Sequence, residues 1–244
     1  MILAYILIFT FIGGIASLVG SFFLLIRRDL TEAFSQRLIY FAAGVLIATA
    51  FLDLLPEAQE MAGERIFFPA ILGFVIFFFA ERFVQLFHFH HGHGQKATTP
   101  LVIVGDGVHN FIDGVAIAAA FLTSIPLGIT TSLAVAAHEI PQEIADMSVL
   151  LSNKLSKTKA LIYNFLSALT ALFGAVLTFY FASFIQNYLY FFLSLTAGFF
   201  IYISASDLIP QLHEEFTKNR KFSHAFIFLL GIFSVFIFTK LFEG

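Results

Sequence analysis

The stretch AHEIPQEIAD, residues 137–146, places His138, Glu139, Gln142, Glu143 and Asp146 within nine positions of an otherwise apolar run. It falls one residue short of HExxH, the zinc-hydrolase signature, because Gln142 stands where the second histidine is needed. Pro141 also removes the backbone donor that would bond the carbonyl of Ala137. The question is what such a cluster does in a lipid-embedded helix.

That the surroundings are lipid follows from composition. Of 244 residues, 59% are hydrophobic and 12% charged, with a mean hydropathy of +0.91. Soluble domains carry about 45–50% apolar and about 25% charged residues. A polytopic all-α membrane protein is expected. The net charge of −3 with no basic stripe argues against a nucleic-acid partner, and the lack of cysteine excludes thiolate sites and disulfides. The first apolar run has no basic leader and is too long for a cleavable signal, so it reads as a retained span.

A crossing helix needs about 20 apolar residues. Eight segments qualify, near 2–26, 38–55, 67–87, 99–122, 129–151, 160–182, 188–210 and 223–241. Arg27, Arg28, Arg37, Lys96, Lys154, Lys157, Lys159, Lys218, Arg220 and Lys221 all fall in odd-to-even loops, against only Arg65 and Lys240 on the other side. By the positive-inside rule those loops are cytoplasmic and both termini lie outside. The short loops leave no room for a soluble domain, which fits a plasma-membrane protein.

FAAGVLIATAFLDLLPEA (41–58) matches LTAGFFIYISASDLIPQL (195–212) at an offset of 154 residues, and the same offset carries SLVG (17–20) onto ALFG (171–174). The copies would run in opposite directions, and inverted repeats are common in transporters. The expected organisation is one domain, 1–244, with repeat one at 1–87, a His-rich cytosolic loop at 88–98, central helices at 99–151 and repeat two at 160–244.

The second polar stripe lies in span 4. At about 100° per residue, Asp106, His109, Asn110 and Asp113 of GDGVHNFIDG share one sector of the helix. An ionisable residue at bilayer depth costs at least about 2.5–3.5 kcal/mol. The two stripes must therefore face each other, and several carboxylates together require a proton or cation among them. Histidine nitrogen and carboxylate oxygen are ligands for zinc and its neighbours. A polar core that merely joins helices would more commonly use Ser, Thr or Asn.

At HNFIDG and HEIPQE the chain resembles the ZIP (Zrt-/Irt-like) metal transporters, as do FLDLLPEA, NFLSALTALFG and LTAGFFIYISASDLIP. The resemblance implies eight helices in a 3+2+3 arrangement, a homodimer and a metal site, sometimes binuclear, on spans 4 and 5. It assigns ligand positions to His109, Asn110, Asp113, His138, Glu139 and Gln142, with Glu143 and Asp146 as further motif residues. Gln142 is a weaker ligand than the His or Glu of many relatives, and Ala171 aligns where some binuclear relatives have Glu.

The expected function is movement of a divalent cation into the cytosol, zinc foremost, with iron, manganese, cobalt and cadmium as other candidates. No other cofactor is implied. Asp53, Asp106, Asp146 and Asp207 would mark the pathway, and His88, His90, His91 and His93 would bind metal in the loop. A proton-coupled transporter of another solute would use the same acids. An intramembrane hydrolase is disfavoured by Gln142 and Pro141, so no enzymatic activity is expected.

Overall fold

The structure, a computed structural model, describes residues 1–90, 98–219 and 223–242; within these, the side chains of 16, 28–33, 81, 83–90, 98–101, 215–219, 223 and 242 lie outside the description. The described residues are helical, with no strand among them. In chain order the helices are α1 (Ile2–Gly13), α2 (Leu18–Leu24), α3 (Arg28–Ala48), α4 (Leu55–Ala62), α5 (Phe67–His90) and α6 (Thr98–Thr123). They continue as α7 (Ile125–Ser152), α8 (Lys157–Tyr180), α9 (Ala182–Ile185), α10 (Leu189–Tyr202), α11 (Ile209–Asn219) and α12 (Ser223–Phe242).

Six helical stretches among the described residues are long and apolar enough to cross a membrane. One of them, Phe34–Ala80, is 47 residues long and takes in two of the expected spans. Helix α7 is not among the six, because the polar residues of HEIPQE lower its hydropathy. Exposed phenylalanines such as Phe68 and Phe79 on α5 and Phe226 and Phe233 on α12 suit contact with lipid. The chain is a multi-pass membrane protein.

The repeated D-L-[LI]-P sequence has a structural counterpart. Thr49–Leu54 and Ile203–Leu208 are both π-helical, again 154 residues apart. Leu55 N–H bonds the carbonyl of Ala50, and Ile209 N–H bonds that of Ser204, each five residues back. Pro56 and Pro210 follow directly and cannot donate to the carbonyl four residues behind them. A π turn is one way for a helix to pass such a defect without ending.

Packing repeats as well. A Cβ added to Gly44 of α3 would sit 2.1 Å from the carbonyl oxygen of Phe228 on α12, and one on Gly231 of α12 would sit 2.3 Å from that of Phe41. Likewise Gly198 of α10 abuts Ala70, and Gly73 of α5 abuts Leu195, at 2.0 and 2.2 Å. Gly44 and Gly198 are repeat mates, so each half offers its middle helix to the last long helix of the other. Gly73 and Gly231 are 158 residues apart, which means one helical turn is inserted before the last helix. That insertion explains why those helices align poorly at the offset of 154. Backbone contact through small residues is the means of helix association where lipid offers no hydrophobic drive.

The α6–α7 hairpin sets the centre. A single residue, Ser124, joins the helices and caps α7, its hydroxyl accepting from Leu127 N–H at 3.3 Å. Buried Ala116, Ala118, Ala120, Ala134 and Ala137 let the central helices approach their neighbours closely. Helix α8 packs on α6 through Gly114 and Gly174, which meet the carbonyls of Ala171 and Phe111. Replacing Gly44 or Gly198 by Ala is expected to lower the melting temperature of the detergent-solubilised protein. The drop should exceed that of Gly107→Ala, whose Cβ meets nothing closer than 3.8 Å.

Candidate metal centre

The one-residue turn at Ser124 forces α6 and α7 to run antiparallel, so residues equally far from it lie level. His109 and Glu139 are each 15 residues from Ser124, about 22 Å along the helix at 1.5 Å per residue. Asp106 and Gln142 are each 18 residues away. These pairs are in contact.

The first group comprises His109, Asp113, His138 and Glu139, all but His109 being buried, with His109 side chain 10% exposed. His138 Nε2 lies 3.1 Å from Asp113 Oδ2 and 3.2 Å from His109 Nε2. His109 Nε2 is 3.2 Å from Glu139 Oε1 and 3.6 Å from Asp113 Oδ2. His138 Nδ1 lies 3.0 Å from the carbonyl of Ala134, where only a proton on Nδ1 makes a bond. In neutral imidazole that leaves the Nε2 lone pair aimed at Asp113 and His109. Two imidazole nitrogens and two carboxylate oxygens, all able to act as acceptors, thus converge within 4.8 Å.

The second group is Asp106, Glu139 and Glu143, whose oxygens also lie within 4.8 Å of one another. Glu139 belongs to both groups. Asn110 Nδ2 donates to Asp106 Oδ1 at 2.9 Å and Gln142 Nε2 donates to the same oxygen at 3.3 Å. Both oxygens of Glu139 and Glu143, and Oδ1 of Asn110, are buried without a hydrogen-bond partner among the described residues. Glu139 Oε1 approaches His109 Nε2 at 3.2 Å, but not with hydrogen-bond geometry. Buried polar atoms are normally satisfied, so acceptors left over on two adjacent acids are an unusual expense. A cation between them would satisfy them, and the N/O donor set suits zinc and neighbouring divalent metals.

Asp106, expected on the pathway, sits in the second group. Asn110 and Gln142, expected as ligands, direct their amide nitrogens to Asp106. Asp146 is half-buried one turn further along α7 and belongs to neither group. Asp53 lies in the first π segment, 2% exposed, accepting from Thr239 Oγ1 of α12 at 2.5 Å. Its repeat mate Asp207 lies half-buried in the second π segment. His88 and His90 belong to the end of α5 but their side chains, with His91 and His93 altogether, fall outside the described residues. Helix α7 runs unbroken through Pro141.

Ala171 is not the α8 position that faces the acids. Its carbonyl is held against Gly114 and its Cβ lies on the Gly14 side, toward α1. Ser167, one turn earlier, lies beside Asp106, with its hydroxyl directed to the carbonyls of Tyr163 and Asn164. Aromatic walls also escaped the sequence reading. Phe77 of α5 meets His109 edge-on with ring centroids 5.4 Å apart, and Phe200 of α10 lies 6.1 Å from His138. Nothing in a phenylalanine-rich sequence singles out these two, whereas the Ser124 turn does place Asp106 level with Gln142.

Comparison with known proteins places the chain in a family. The model of a family described as ZIP Zinc transporter matches residues 1–100 and 88–239. The chain belongs to the ZIP family. Zinc transporter ZIP10 of Danio rerio is 42% identical over 122 residues, which is 50% of this chain and 14% of that protein. Zinc transporter ZIP6 of Homo sapiens is 36% identical over 150 residues, 59% of this chain and 20% of the relative. Metal cation symporter ZIP14 of Mus musculus is 36% identical over 152 residues, again 59% of this chain and 30% of the relative. The matched part of this ZIP chain thus corresponds to less than a third of each of these relatives.

Because Glu139 serves both groups, Glu139→Ala is expected to abolish most of the rise in melting temperature produced by saturating zinc. Asp113→Ala and Glu143→Ala should each remove only part of it. Ligand-linked stabilisation makes differential scanning fluorimetry across a zinc series the appropriate measurement.

Proposed function

We propose that the protein transports a divalent cation, zinc foremost, across the membrane into the cytosol. Iron, manganese, cobalt and cadmium are further candidate cargoes for the same donor set. The observation that carries this reading is the convergence of His109, Asp113, His138, Glu139, Asp106 and Glu143 on two adjoining spaces that share Glu139. Membership of a family described as zinc transporters, and relatives named zinc transporter or metal cation symporter, supports it.

In this reading eight spans form a 3+2+3 bundle with inverted repeats at 1–87 and 160–244, the central helices at 99–151, and both termini outside. Asp53 gathers cations on the outer side. The cation exchanges its water for the first group, passes by way of Glu139 to the second, and leaves past Asp146 and Asp207. Glu139 bridges the step, so the ion is never without a carboxylate. Asn110 and Gln142 act chiefly by holding Asp106 through their amide nitrogens. The His-rich loop, with His88, His90, His91 and His93, receives metal at the cytosolic face. The protein works as a homodimer in the plasma membrane, and the membrane potential favours inward movement by about 2.3 kcal/mol per charge per 100 mV.

Proteoliposomes loaded with a zinc-responsive dye test the proposal. Wild type should brighten the dye on external zinc, and Asp113→Ala should slow the signal at least about 10-fold, the loss typical of a weakened metal site. Equal rates for wild type, Asp113→Ala and empty vesicles would contradict it.

A further inference from the structure

Among the described residues neither buried carboxylate oxygen of Glu143 has a partner in hydrogen-bond geometry, although the Asn164 amide lies beside the carboxylate. The backbone carbonyl of Glu143 is held from two sides. Ser21 of α2 donates its hydroxyl to Glu143 O at 2.7 Å, and Asn164 of α8 donates Nδ2 to the same oxygen at 3.4 Å. Both donors are buried, Ser21 at 0% and Asn164 at 2% exposure. A helical carbonyl already accepts from the N–H four residues on, so Ser21 and the longer contact from Asn164 share its second lone pair.

The place of this contact matters. Pro141 lies two residues before Glu143 and leaves the α7 ladder one hydrogen bond short. The missing bond is at the Ala137 carbonyl, in the turn that precedes Glu143. Ser21 and Asn164 add outside constraint to the turn that follows. Gly20, beside Ser21, keeps α2 close, since an added Cβ would lie 3.0 Å from Ile144 Cδ1.

We propose that Ser21 and Asn164 are positioning residues for the second cation group: by clamping the Glu143 carbonyl between α2 and α8 they hold the Glu143 carboxylate in register with Asp106 and Glu139. The inference rests on the reading of this cluster as a cation site. Among the described residues neither side chain hydrogen-bonds to the first group, so the two groups should respond differently to loss of the clamp.

The test is zinc titration of the purified full chain in detergent, in competition with a chromophoric chelator that resolves two affinities. Wild type should bind two zinc ions. Ser21→Ala, and the near-isosteric Asn164→Leu combined with it, should weaken one of the two by about 10-fold or more and leave the other unchanged, as removal of an outer-shell support does elsewhere. The unchanged site reports that the variant is folded. Two unaltered affinities, parallel weakening of both, or a single zinc in wild type would overturn the clamp. No zinc bound by wild type would instead overturn the reading of the cluster as a cation site, and the clamp with it.

Discussion

The structure is organised around a charge that cannot be left alone. Asp106, Asp113, Glu139, Glu143, His109 and His138 are packed into the α6–α7 hairpin of a membrane protein. Lipid offers no solvation for these groups, and their own hydrogen bonds leave the oxygens of Glu139 and Glu143 unused. Such an arrangement is unfavourable unless protons or a cation share it. In the proposed reading such tension suits a site that must also release its ion, because several weak, adjacent positions let go more readily than one deep one.

Everything else in the bundle brings this hairpin into place. Single-residue closure at Ser124 fixes the register of α6 against α7, and Gly114 with Gly174 brings α8 onto α6 at backbone distance. Outside this core, the reciprocal glycine contacts of α3 with α12 and α5 with α10 form two equivalent junctions. The two π segments lie in helices that belong to those junctions and also carry Asp53 and Asp207. Polar side chains thus reach the interior where the helical ladder is already perturbed by a following proline.

Much of this was legible in the sequence because its signals were chemical and local. HNFIDG and HEIPQE announce the site by putting acids where only apolar residues are affordable, and D-L-[LI]-P announces the repeat. What escaped the sequence depended on distance in space. Asp106 reads as a residue one turn beyond the site until the Ser124 turn is used to count depth. Ala171 aligns with a ligand position, but close packing on Gly114 turns it away and brings Ser167 to Asp106 instead. Phe77 and Phe200 could not be distinguished among 35 phenylalanines. The 158-residue spacing of Gly73 and Gly231 was hidden because a one-turn insertion breaks a fixed-offset alignment. Hydropathy, in turn, under-reads α7 because His138, Glu139, Gln142, Glu143 and Asp146 make that helix polar.

The central claim is that imidazole nitrogens of His109 and His138 bind the cation directly inside the hairpin. X-ray absorption at the zinc edge on the zinc-loaded protein tests it most directly. A shell of nitrogen and oxygen at about 2.0–2.1 Å with imidazole scattering is predicted, and it should vanish from the tightly bound zinc when both histidines are replaced by alanine. Imidazole scattering that survives the double replacement would place the metal elsewhere and contradict the account.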